Sequence, residues 1–549
     1  MDQSQRMDQS RLGERCRLSG RAILAAASLV FAIALWLRIP SCYQSFWLDE
    51  LHSAWTVWDD LGSVIPRAKA GHQSPIYFLG LWVWKQASGG SELALRLSSV
   101  LATASACVVL TIGTARWSNS LIAGITSGLI LAIESNAIFF GTELRPYALA
   151  IFLSSIVQVC FLELMRTASN IERPRLWSTL IGTILTAAML QPTTLGVLSF
   201  FPIVLMVRWG LRHRHKIYRL TGIDALLLAF TLAVLLLLWN TTLDSSWNQR
   251  TLWSSFGSAT RFSQLLEIWE WFWLLILPVA ILAIAKLIPT ITQLVSDGSS
   301  IEPPPVGYFS SLLVLSSIAV AASSLYWLAS WLEWAPIWHR RYFVTVIPIF
   351  ATVIGGAVGA VQHSLGRNTA SAIIAACTAV LLISGLGFKQ RTLQRLSQYP
   401  VALAVRGEHW REAVAWLNQN AGSRDGVFVD PKLIESESMF AAAGDRSRGP
   451  GTTVDLGNTT QSQLDYLLFA VKGPYQLECS TALLHFENQW LKNAQTRPEG
   501  AMELPKNGKD SREFILLRRS KSSLKTQVPD ASRIKPFGGI SVIVPRRSE

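Results

Sequence analysis

Two adjacent carboxylates, Asp49 and Glu50, lie in the segment SFWLDELHSAW, just after the first long apolar run of the chain. A carboxylate so placed can take a proton from an attacking hydroxyl, although an acidic pair in a loop is ordinarily only solvated. About twenty residues on, GHQSPIYFLGLWVWK brings His72 to the head of an apolar, aromatic stretch that reads as a helix lying in the membrane interface. A plain anchoring helix would use that histidine as a cap or leave it in water. A third cluster, GTELRPYAL, sets Glu143, Arg145 and Tyr147 between two apolar runs. Ionisable groups at membrane depth are costly and by default point to function; the bland alternative is that Glu143 and Arg145 pair with each other. The fourth, WHRRYFVTVIP, opens a late apolar run with His339, Arg340, Arg341 and Tyr342. Facing outward, these cations would find their natural partner in a phosphate at headgroup level; cytoplasmic anchoring is the alternative. External carboxylates with external cations suit displacement at the anomeric carbon of a sugar with phosphate departing. One carboxylate takes the proton of the acceptor hydroxyl, and the cations stabilise charge developing on the phosphate. A phosphodiester is already a good leaving group, so neither a general acid nor a His-Cys-Ser triad is required.

The elements that must position these groups are membrane spans. Half of the 549 residues are hydrophobic and only 15% are charged, more apolar than one soluble core uses. Twenty-two Trp fit a chain with many membrane-water boundaries. The formal charge of +13 raises the question of a nucleic-acid partner, but the Lys and Arg sit mainly between apolar runs and in the tail, with no nucleic-acid motif. The partners expected are the lipid bilayer and anionic lipid, not nucleic acid. Six Cys (16, 42, 107, 160, 377, 479) lack metal-ligand spacing and read as buried thiols.

The first run, Ala22 to Leu37, follows a basic stretch and reads as an uncleaved signal anchor, with residues 1–21 in the cytoplasm. Later runs fall near 93–113, 120–140, 146–165, 178–209, 222–240, 264–287, 308–330, 341–362 and 370–388. At about 1.5 Å per residue most can cross a core of about 30 Å. Gln191-Pro192-Thr193-Thr194 interrupts the 178–209 run and divides it into a hairpin. Two basic loops, one at Arg166, Arg173 and Arg175 and one at Arg212, Arg214, Lys216 and Arg219, both face inside only if that run crosses twice. About 11 spans follow, with loop 41–92 outside. Lys389, Arg391 and Arg395 oppose this topology, since they follow the final run on the side assigned as external. Beyond residue 400 the composition becomes soluble. Trp410, Val414 and Leu417 recur at helical spacing and Gly426 to Asp430 reads as a strand. The expected architecture is therefore a polytopic α-helical membrane domain over 22–390 and an external α/β domain over 400–549.

The ordered set of WLDE, H-x-x-P-I-Y-F from His72, SELALRL from Ser91, E-x-R-x-Y from Glu143 and RRYF from Arg340 resembles the GT-C membrane glycosyltransferases. Within them it is most similar to the family 39, protein-mannosyltransferase-like set that includes the lipid A aminoarabinose transferases. The resemblance spans most of residues 20 to 390. It implies a polyprenyl-phosphate sugar donor in the cell membrane, a lipid, glycan or protein acceptor, and a variable external C-terminal domain. It implies Asp49 as base with Glu50 beside it, Glu143 as second active-site acid, and Arg145 and Arg341 on the donor phosphate, flanked by Arg340 and Tyr342. His72 and Tyr147 would line the pocket. Members differ in their use of a divalent metal ion, for which Asp49 and Glu143 would be the ligands here. Gln191-Pro192-Thr193 stands where many relatives have a His-containing turn, which leaves the role of that turn open. A transporter or lipid flippase is the competing class and would show internal repeats and broken helices; the sequence has no clear repeat. A scaffold whose C-terminal domain binds an envelope partner would tolerate loss of the acidic clusters.

Overall fold

The computed structural model describes residues 18–71, 73–166, 173–212, 257–295, 304–305, 307–366, 368–422, 425–429, 469, 473–477, 481–484, 513–518 and 533–544. Six helices among them are long and apolar enough to cross a membrane: Gly20–Tyr43, Glu92–Ser118, Tyr147–Arg166, Tyr308–Trp331, Val344–Ser364 and Thr369–Lys389. The protein is thus a polytopic helical membrane protein, as its composition requires. The 222–240 run lies outside the described residues, as do Arg214, Lys216 and Arg219. The 178–209 run does break at the expected place, with helices Arg173–Leu190 and Phe200–Arg212 on either side of a 3-10 turn, Pro192–Thr194.

The 120–140 apolar run forms two helices, Leu121–Ile133 and Ser135–Gly141, bent by 64°. The cause is a pair of charges that the apolar pattern conceals. A broken helix in lipid leaves carbonyls at one end and N–H groups at the other without partners. Arg38, wholly buried, donates to the carbonyls of Leu131 and Ala132 at 3.3 and 3.1 Å. Glu134 caps the second half by accepting from Ala137 N at 2.6 Å. A cation at a helix C-terminus and an anion at the next N-terminus also suit the two helix dipoles.

Two compact units divide the chain: one comprises 1–41, 99–244 and 256–404, the other 42–98, 245–255 and 405–549. At the centre of the first, nearly all of the apolar window of Val344–Ser364 is buried, whereas only about a third of that of Thr369–Lys389 is, and Ile373, Val380 and Leu381 are exposed on it. Small residues let the central helices approach closely: a Cβ on Gly355 would collide with Ser127 Oγ, and one on Gly124 with the Thr111 carbonyl. Cys42, Cys107 and Cys160 are buried thiols as expected, while Cys377 is exposed.

The second unit contains a five-stranded sheet of β1 (Gly426–Val429), β2 (Thr481–Leu484), β3 (Glu513–Arg518), β4 (Arg533–Phe537) and β5 (Ile540–Val544), in the order β2-β1-β3-β5-β4. β1 is parallel to β2 and β3, with Val427 opposite both Ala482 and Phe514, and β5 is antiparallel to β3 and β4. The helix Trp410–Asn420 packs on β4 and β5 and buries Trp410, Val414 and Leu417, the residues at helical spacing in the sequence. Gly538 turns the β4–β5 hairpin at φ +60°, where a Cβ would strike the Gly407 carbonyl.

Candidate active site

In the second unit the first acidic cluster forms the helix Leu48–Thr56, with Asp49 and Glu50 in its first turn, where carboxylates favour the helix dipole. The two acids have different surroundings. Glu50 is wholly buried and bound in bidentate fashion by an equally buried Arg96, Nε to Oε1 at 2.8 Å and Nη2 to Oε2. Arg96 also donates to the carbonyls of Cys42 and Ser45 at 3.1 Å each and to that of Gln44, and its guanidinium lies 4.9 Å from the Phe46 ring centroid. One side chain from SELALRL therefore fixes the course of residues 42–46. Asp49, by contrast, is only half-buried.

Four further side chains hold the same segment, Glu408, Glu92, Arg411 and Tyr475, the last accepting from Phe46 N at 2.9 Å. Glu408 Oε2 accepts from Leu48 N at 2.9 Å, taking up an N–H of the helix start, and from Trp410 Nε1 at 3.1 Å. Glu92 accepts from Phe46 N at 3.2 Å and Tyr475 Oη at 2.7 Å, and its other oxygen pairs with Arg411. Arg411 in turn donates to the Tyr43 carbonyl at 3.0 Å. Burial of its hydroxyl, with Glu92 alongside, pushes Tyr475 well above the usual tyrosine range, so it stays a protonated donor.

His72 lies outside the described residues. The histidine beside Asp49 that sequence reasoning passed over is His52, one helical turn on and 8% exposed. Its ring lies 5.7 Å from that of Trp55 and 6.2 Å from that of Phe78, and a Cβ on Gly71 would collide with it. The i, i+3 spacing with Asp49 was the available signal.

In the first unit Glu143, Arg145 and Tyr147 occupy the break between Ser135–Gly141 and Tyr147–Arg166, and are 1%, 8% and 7% exposed. The break is a tight turn: the Glu143 carbonyl accepts from Ser99 Oγ at 2.6 Å and from Arg145 N at 2.8 Å. Residues Arg340–Tyr342 form a 3-10 turn capped by His339, whose Nδ1 accepts from Arg341 N at 3.3 Å. Arg340 is exposed and reaches Asn136 Oδ1 at 3.3 Å and the Glu267 carbonyl at 3.4 Å; the Arg341 guanidinium lies 5.3 Å from the Tyr342 ring centroid. The Gln191 turn joins here, its Nε2 donating to the Arg341 carbonyl at 3.1 Å and to Thr193 Oγ1 at 3.0 Å.

The cations that opposed the expected topology also sit at this end. Gln390, next to Lys389, donates to Glu134 Oε1 at 2.9 Å; Glu134 accepts from Asn136 at 2.7 Å, and Asn136 accepts from Arg340. The Lys389 and Arg340 clusters therefore lie at the same end of the helices of this unit. Lys389 pairs with Glu270 at 3.7 Å, and Arg395 donates to the Leu403 carbonyl at 2.8 Å. Among the described residues no three His, Cys, Asp or Glu side chains gather as metal ligands.

No family model matches this sequence, and no curated protein matches it. Solved structures do. ArnT from Cupriavidus metallidurans in the apo state is similar at a TM-score of 0.51 and 12% identity, over 95% of this chain and 96% of that one. ArnT bound to undecaprenyl phosphate gives 0.46 at 12% identity, over 96% and 98%. The archaeal oligosaccharyltransferase AglB from Archaeoglobus fulgidus, in complex with an inhibitory peptide and a dolichol-phosphate, gives 0.42 at 11% identity, over 76% and 63%. What is shared with apo ArnT is the fold: this chain has the GT-C fold that its motifs resemble.

Proposed function

We propose that this protein transfers a sugar from a polyprenyl-phosphate donor to an acceptor hydroxyl at the external face of the membrane, with Asp49 as general base. The observation that carries the reading is the asymmetry of the acidic pair. Glu50 is spent on Arg96, while Asp49, on the same helical turn, is half-buried and can meet an acceptor. The acceptor oxygen attacks the anomeric carbon, the bond from that carbon to the phosphate oxygen breaks, and polyprenyl phosphate leaves with the electron pair. Asp49 takes the hydroxyl proton. Arg145 and Arg341 are assigned to the leaving phosphate, with the exposed Arg340 as an outer contact, and Glu143 serves as the second active-site acid. On this reading the C-terminal region belongs to the external side.

The transporter reading has one observation in its favour, the broken span at Glu134. Against it, Glu134 is committed to Ala137 N, Asn136 and Gln390, which makes it a cap. The deciding test uses a radiolabelled polyprenyl-phosphate sugar pool in membranes carrying wild type, Asp49→Asn or Glu143→Gln at matched expression. Wild-type transfer that both variants lose supports the reading. Labelled lipid that changes leaflet without sugar transfer supports the transporter.

A further inference from the structure

The turn where this chain departs from its resemblance carries buried polar atoms that neither the fold nor the proposed chemistry uses. Gln191 is 8% exposed, and its Nε2 is committed to the Arg341 carbonyl and Thr193 Oγ1. A carbonyl can only accept, so the orientation of the amide is fixed and Oε1 must be the other atom. That Oε1 is buried and has no hydrogen-bond partner among the described residues. Three residues on, Thr194 is 1% exposed and its Oγ1 is likewise without a partner there. The turn itself is not loose. Tyr326 Oη donates to the Thr193 carbonyl, and a Cβ on Gly196 would press within 2.7 Å of that ring. Buried acceptors held in a rigid turn are costly unless something supplies a donor.

We infer that Gln191 Oε1, with Thr194 Oγ1, is a subsite for a hydroxyl of the donor sugar. The inference rests on the transferase reading and adds a specificity determinant to it. The amide that reads the sugar is the same one that holds the Arg341 backbone, so the hydroxyl is read next to a residue assigned to the donor phosphate. A hydroxyl suits the site because it donates to Oε1 while accepting from the Thr194 hydroxyl, and a neutral amide adds no charge beside the leaving phosphate. An uncharged reader of this kind distinguishes sugars by the presence of one hydroxyl and leaves attack at the anomeric carbon to other groups.

Two substitutions separate this role from support of the turn. Gln191→Met and Gln191→Glu both lose the donor to the Arg341 carbonyl, but only Glu keeps an acceptor. Transfer would be measured for each with short-chain polyprenyl-phosphate hexoses and pentoses and with every monodeoxy analogue of the sugar that wild type prefers. Wild type should lose roughly tenfold in kcat/KM on one monodeoxy donor, as expected for one hydrogen bond. Gln191→Glu should keep that penalty, and Gln191→Met should abolish it while raising KM for the parent donor. Thr194→Val, which keeps the shape of the side chain, should reduce the penalty on the same analogue and serves where Gln191→Met does not fold. The inference is overturned if every deoxy donor is penalised alike in wild type and variants, or if only KM for the acceptor moves. Absence of wild-type transfer on every donor overturns the transferase reading and this inference together.

Discussion

The segment from Cys42 to Glu50 and the turn from His339 to Tyr342 both carry charges that the proposed reaction needs, yet they are held in opposite ways. The first is fastened by side chains, two of them buried: Arg96 on three carbonyls and Glu408 on Leu48 N, with the half-buried Glu92 on Phe46 N. The second is tied mainly through its backbone, by Gln191 on the Arg341 carbonyl and His339 on Arg341 N, and leaves the Arg340 side chain exposed. The difference matches the tasks. A base must meet its proton within hydrogen-bond reach, so its backbone is fixed on every side. A guanidinium on a long stem can adjust to a phosphate, so the turn needs only to be in place.

The largest effect is expected at Arg96. Arg96→Met leaves Glu50 buried without its cation and should cost about 3–5 kcal/mol, seen as loss of the monodisperse peak in detergent; a variant as stable as wild type would mean the segment is not held as described. Glu408→Ala comes next. It removes the acceptor of Leu48 N and Trp410 Nε1 and should cost about 1–3 kcal/mol of stability, read as a lowered Tm. Arg340→Ala sharpens the contrast from the other side, with stability within about 0.5 kcal/mol of wild type and a several-fold rise in KM for donor that high salt diminishes. The smallest effect is alkaline. The folded protein holds the Tyr475 proton more tightly than the unfolded chain, whose tyrosine titrates at 10.0. Stability from this group is therefore full below that pH and falls as pH rises above it. Tyr475→Phe should remove that slope in a Tm-against-pH series.

What could be read from the sequence followed from local pattern: the apolar runs, the break at Gln191, the helix over Trp410, Val414 and Leu417, and the strand at Gly426. What could not be read depends on partners far apart in the chain. Nothing in WLDE distinguishes Asp49 from Glu50; Arg96, forty-six residues on, does so. The bend at Glu134 required Arg38, itself at the end of another apolar run. Charges embedded in apolar runs were visible in both cases, and the cost of burying them was the signal that the pattern alone undervalued.

On the proposed function the adjacent acids divide their work, Asp49 for proton transfer and Glu50 for position. The direct test of this division is transfer rate and Tm measured on the same purified samples of Asp49→Asn and Glu50→Gln. Asp49→Asn should keep the wild-type Tm and lose about 10²–10⁴-fold in rate, while Glu50→Gln should lower Tm and retain most of its rate per folded molecule. An Asp49→Asn enzyme with wild-type rate, or a Glu50→Gln enzyme that is fully stable and inactive, would contradict it.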